Sequence, residues 1–104
     1  MERNNAKKML SEYRKLMARV QQLNIDIELF ESSRDELIIE REECLRAAKF
    51  IEDTIKKEND LRKREILTRK YIYGDTLEEI AQRLCFSSRH IQRLLNSATE
   101  TIIL

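Results

Sequence analysis

The sequence predicts an all-α fold in two parts: a long N-terminal helical hairpin or coiled coil over residues 1–58, then a compact helical unit over residues 59–104. Three observations carry this. The 104 residues include no Pro, no Trp and one Gly, and 38% are charged, a composition of long helices rather than sheets. Apolar residues recur in steps of three and four and sustain no strand-like alternation. Two stretches, Ser33–Glu36 and Thr76–Glu79, have the Ser/Thr-x-x-Glu spacing of a capping box, in which each side chain satisfies a free backbone N–H at a helix start.

From Asn4 to Phe30, the residues Leu10, Tyr13, Met17, Val20 and Ile27 keep a heptad seam, with Asn24 in one expected slot. Met9, Leu16, Leu23 and Phe30 add a second row, so this helix needs more than one neighbour. Asn24 reads in two ways. A buried Asn fixes register and partner number, which fits a homodimer formed through the N-terminal helices; at the margin of a wide stripe it is simply solvated. Glu31-Ser32-Ser33 interrupts the pattern, and a second helix runs from there to Lys57 with Leu37, Ile38, Cys44, Leu45, Ala48, Ile51 and Ile55 on its apolar side. No Gly or Pro forces a turn, so one unbroken helix competes with a hairpin whose limbs, at about 25 residues each, would be on the order of 38 Å long.

The polar stretch Lys56–Asp60 marks the boundary between the two parts, with Asn59 or Asp60 capping a third helix from Leu61 to Tyr73. That helix buries Ile66, Leu67 and Tyr71 and stops at Gly74, which alone is free to turn left-handed. Thr76 caps a short helix, Leu77 to Leu84, whose inner face is Ile80, Ala81 and Leu84; Ala81 is small where two helices must approach. Cys85-Phe86-Ser87 makes a tight turn with Phe86 as an apolar plug, and Ser87 or Ser88 caps the last helix, which continues to about Thr101.

Two short helices joined by three residues are the pattern of a helix-turn-helix. In the second of them Ile91, Leu94, Leu95, Ala98 and Ile102 line one side, which puts Arg89, Arg93 and Asn96 opposite and Gln92 at the margin. Arg can bond guanine O6 and N7 together, and Gln or Asn can pair in two-point fashion with adenine. Ser87 and Ser88 lie at a helix start, where free N–H groups suit a phosphate. The expected partner is double-stranded DNA, read by Ser87, Ser88, Arg89, Gln92, Arg93 and Asn96. The plainer alternative is that these residues form the solvated face of a surface helix. Arg62, Lys63, Arg64, Arg69 and Lys70 could neutralise phosphates or meet an acidic protein partner, RNA polymerase among them; Arg69 and Lys70 equally suit the C-terminal end of a solvated helix.

The net charge of +1 conceals a polarity along the chain: residues 1–58 hold 12 basic and 13 acidic side chains, residues 59–104 hold 8 and 6. No apolar run is long enough to span a bilayer, and the charged start lacks a signal-peptide core, so no membrane partner and a cytoplasmic location are expected. Cys44 and Cys85 are distant and accompany a single His, His90, so neither a metal site nor a disulfide framework is indicated and both read as small buried apolar residues. His90 reads as a helix-surface residue. With no paired carboxylates, phosphate loop or cysteine–histidine arrangement, no catalytic role and no cofactor is expected.

The stretch from Leu61 to Leu95 resembles region 4 of the sigma-70 family. The resemblance covers about one third of the chain and is carried by Arg64-Glu65-Ile66-Leu67, Arg69 with Tyr71, Gly74, Thr76-Leu77-Glu78-Glu79-Ile80-Ala81, Leu84, Ser87 and Ile91. It implies a domain that reads a promoter element through the second helix of its motif and can dock on the RNA polymerase β-flap. The regions that bind the −10 element and core polymerase are absent, which argues against a complete sigma factor, and the turn position commonly held by Gly is Cys85. The layout is similar to small transcriptional regulators of phages and mobile elements of Gram-positive bacteria. The function so implied is a sequence-specific DNA-binding regulator, with an RNA polymerase- or sigma-factor-binding protein of little DNA affinity as the alternative.

Overall fold

A computed structural model describes residues 2–102; Ile103 and Leu104, left unexplained by the sequence pattern, lie outside the described residues. The described residues form helices joined by short turns, with no strand among them. The helices are α1 (Glu2–Ser11), α2 (Tyr13–Leu29), α3 (Arg34–Lys56), α4 (Leu61–Leu67), α5 (Leu77–Leu84) and α6 (Ser88–Glu100). A 3₁₀ turn, Glu31–Ser33, links α2 to α3, and a π-helical segment, Thr68–Tyr73, extends α4.

The first expected helix is broken once. Ser11 Oγ donates to the Lys7 carbonyl at 2.6 Å, and the Glu12 N–H bonds Met9, three residues back, at 3.1 Å; such side-chain competition for helix carbonyls bends helices. At the other end of α2 the Ser33–Glu36 capping box does not form: Ser33 precedes α3 but makes no cap hydrogen bond. The 3₁₀ turn takes its place, with the Ser33 N–H on the Phe30 carbonyl at 3.1 Å.

α3 returns alongside α2. Arg19 Nε donates to Glu40 Oε2 at 2.7 Å, and Arg41 Nη1 to Asn24 Oδ1 at 3.0 Å; Arg19 holds the Glu40 carboxyl below its ordinary range. Val20, Leu23 and Ile27 are buried between the two helices, facing half-buried Leu37, Ile38, Cys44 and Leu45. Thus α3 occupies the α2 heptad seam within one chain. Asn24 is exposed and bonded to Arg41, which removes its reading as a buried register-fixing residue.

The polar link at Lys57–Asp60 separates α3 from α4, and Asp60 caps α4 by accepting from the Arg62 and Lys63 N–H groups at 2.9 and 3.1 Å. The hydrophobic core runs across this link. Ala6, Leu10 and Tyr13 share one cluster with Ala48, Ile51 and Ile55 of α3, with Ile66, Leu67 and Tyr71, and with Ile80, Ala81, Ile91, Leu95, Ala98 and Ile102. α6 is consequently packed by α1 as well as by α4 and α5. The fully buried Thr99 bonds its hydroxyl to the Leu95 and Asn96 carbonyls at 3.1 and 3.0 Å, a satisfied polar group in an otherwise apolar face.

At the junction Tyr13 Oη donates to Glu52 Oε2 at 2.7 Å. Burial first, then the Glu52 carboxylate, push the Tyr13 hydroxyl from 10.0 up to about 12. The folded state therefore keeps a proton that the unfolded chain loses, so this contribution is complete below pH 10 and is lost as pH rises through 12. Tyr13→Phe is expected to lower stability by about 1–2 kcal/mol at pH 8. In urea titrations followed by circular dichroism, the gap between wild type and variant should close between pH 10 and pH 12; a constant gap would show that the Tyr13–Glu52 bond does not set the titration.

Candidate nucleic-acid interface

The C-terminal unit is shaped by two left-handed residues. Gly74 closes the π-helical segment at φ 80°, with the Asp75 N–H on the Arg69 carbonyl at 2.9 Å and the Arg14 guanidinium lying where a Cβ would project. Cys85 closes α5 at φ 59° with no side chain suited to that conformation. The expectation of a buried Cys85 is not met. It is exposed, while Cys44 is half-buried, because the left-handed turn aims its side chain away from the core that Phe86 enters.

Both helices start on formed caps. Thr76 Oγ1 accepts from the Glu79 N–H at 3.1 Å and Glu79 Oε1 accepts from the Thr76 N–H at 2.9 Å; these bonds hold the Glu79 carboxyl below its ordinary range. Ser87, rather than Ser88, caps α6 by accepting from the His90 N–H at 3.1 Å. The caps fix where each helix begins, and hence which side chains of α6 turn outward.

With Ile91, Leu95 and Ala98 buried, Arg89 and Arg93 project into solvent on the opposite face and make no ion pair or hydrogen bond among the described residues. Gln92 and Asn96 are half-buried and bonded to each other, Nε2 to Oδ1, at 2.9 Å. That bond occupies one lone pair of the Asn96 oxygen and one Gln92 N–H, so Asn96 keeps both N–H donors and one acceptor site, and Gln92 keeps its carbonyl and one N–H. Ser87 is exposed and Ser88 half-buried at the helix start.

The five cations of the third helix divide by role. Arg64 Nε donates to the Glu58 carbonyl at 2.9 Å, which fastens the inter-helix link. Arg69 is enclosed by Glu65 (3.7 Å) and Asp75 (3.6 Å) and lies over the Tyr73 ring; Arg83 approaches the same Asp75 oxygen at 4.0 Å. These two arginines hold the unit together. Lys63 and Lys70 are half-exposed and make no ion pair among the described residues.

Exposed Arg62 lies over the Phe86 ring at 5.0 Å, and the His90 ring meets Phe86 edge-on at 4.8 Å. His90 is thus part of a stacked group at the α5–α6 turn. Only the four-residue spacing of Phe86 and His90 hinted at it, since Arg62 arrives from another helix. Among the described residues no cluster of His, Cys, Asp or Glu could hold a metal ion, and no helix is long and apolar enough to cross a membrane.

Cys85→Gly is expected to raise stability by about 1 kcal/mol, the relief of a left-handed non-glycine residue outweighing glycine's greater chain entropy. Gly74→Ala is expected to lower it by a similar amount. Thermal unfolding checks both; equal melting temperatures for all three proteins would mean that neither turn is strained. Comparison with family models, with curated proteins and with solved structures finds no match to this chain.

Proposed function

We propose that the chain is a sequence-specific DNA-binding transcriptional regulator. In this reading α5, the Cys85–Ser87 turn and α6 act as a sigma-70 region 4-like helix-turn-helix, and the α2–α3 hairpin joins two copies. The observation that carries it is the outward face of α6, where Arg89 and Arg93 stand uncommitted in the N-terminal half of the helix, the half that meets base edges in such motifs.

Each member of that face has a distinct task. Arg89 and Arg93 donate to guanine O6 and N7. Gln92, oriented by Asn96, offers one donor and one acceptor to an adenine edge. Ser87 and Ser88, with the free N–H groups of the first turn, take a phosphate. Lys63 and Lys70 add phosphate contacts, and Arg62, held over Phe86, does so beside the turn. Arg64 and Arg69 are positioning residues, since their guanidinium groups are engaged inside the protein.

A second reading, a protein that binds RNA polymerase or a sigma factor with little DNA affinity of its own, draws on the near-neutral charge of +1. A DNA site recovered from a random pool, titrated with the full chain by fluorescence anisotropy, separates the two. The Arg89→Ala, Arg93→Ala double variant is expected to bind that site about a hundredfold more weakly, since each two-point guanine contact contributes about 1–3 kcal/mol, while keeping its helical circular dichroism. Unchanged affinity would reject this face as the reader. Failure of the wild type to enrich any DNA, together with capture by polymerase, would establish the second reading.

A further inference from the structure

α3 is an unbroken helix of 23 residues with two lengthwise faces. One, with Ala48, Ile51 and Ile55, is buried in the shared core. The other contains Ile39, Glu43, Arg46 and Phe50, spaced by four, three and four residues, so that at about 100° per residue all four fall within roughly 60° of arc. Ile39 and Phe50 are 60% and 52% exposed, unusual for large apolar side chains lined up on one stripe. Glu43 and Arg46 are exposed between them and make no ion pair or hydrogen bond among the described residues.

The order of these four residues is its own complement when reversed. We propose that a second copy of this chain docks on the outer face of α3, with the two α3 helices antiparallel about a two-fold axis between residues 44 and 45. In that register Ile39 meets the partner copy's Phe50, and Glu43 meets its Arg46, each pair occurring twice as two-fold symmetry requires. Glu42 and Lys49 along one margin of the stripe are already paired within the chain, with Arg41 at 3.3 Å and Asp53 at 3.7 Å, so Glu43 and Arg46 are the charges that set the register. The α2 heptad seam does not serve this purpose because α3 already fills it. The exposed Ile25 and Leu29 of α2 share their stripe with Ala18, Gln22 and Arg14, and Arg14, whose guanidinium lies against Gly74, has no acidic counterpart on that stripe to set a register.

The arrangement rests on the dimeric part of the function above, not on DNA contact. It has a metric consequence. Lys56 lies 11–12 residues from the axis, so the C-terminal ends of the two α3 helices stand roughly 35 Å apart along the paired helices.

Sedimentation equilibrium of the full chain at micromolar concentrations, with circular dichroism to verify helix content, tests the register. Wild type should be a dimer. Arg46→Glu sets acid against acid at both symmetric positions and should weaken dimerisation by about tenfold or more, and adding Glu43→Arg should restore it. Ile25→Asp should leave the dimer intact. A monomeric wild type would overturn both the surface and the dimeric reading. A dimer indifferent to Arg46→Glu, unrescued by the charge swap, or dissociated by Ile25→Asp would overturn the α3 surface alone. Retained binding of one half-site by an Arg46→Glu monomer would leave the DNA-reading face standing.

Discussion

The burial of one side of α6 is the constraint on which the rest of the molecule depends. A helix of 13 residues does not hold its conformation in water on propensity alone, so its register and rotation must come from packing. Ile91, Leu95, Ala98 and Ile102 join a cluster to which α1, α2, α3, α4 and α5 all contribute. Once that stripe is buried, helical geometry leaves one direction for Arg89 and Arg93. The caps at Thr76 and Ser87 and the left-handed residues Gly74 and Cys85 then set where α5 and α6 start relative to one another.

The same cluster explains why the N-terminal helices are more than an appendage. Ala6 and Leu10 are fully buried in contact with the C-terminal core, and Tyr13 closes the junction through Glu52. Loss of α1 would expose part of the buried face of α6, because the N-terminal and C-terminal helices share one hydrophobic cluster.

Much of this was legible in the residues. The cap at Asp60, the capping box at Thr76, the stop at Gly74 and the inner faces of α4, α5 and α6 are local signals, each written within a few adjacent residues. The features that escaped depend on how helices pack and on the conformation of individual turns. The α2 seam is filled by α3, so a heptad pattern that suggests intermolecular pairing is used within the chain. Ser33 carries the composition of a cap, yet the 3₁₀ turn removes the geometry that a cap requires. Arg64 and Arg69 are indistinguishable from Lys63 and Lys70 in sequence, and only the fold brings the Glu58 carbonyl and Asp75 to them. Cys85 reads as apolar and therefore buried, but turn conformation overrides hydrophobicity there.

The small net charge is a poor guide to the field near α6, because so many acids of the C-terminal part are engaged locally. Asp60 and Glu79 accept backbone N–H groups at helix starts, where a negative charge also meets the positive end of the helix dipole. Glu65 and Asp75 surround Arg69. These four carboxylates offset the helix ends and a half-buried guanidinium, leaving Arg89 and Arg93 without a neutralising partner among the described residues. Charge that is matched at short range contributes little beyond a Debye length, about 8 Å at physiological salt. At short range the outward face of α6 near its start is therefore governed by Arg89 and Arg93 more than by the total charge of +1.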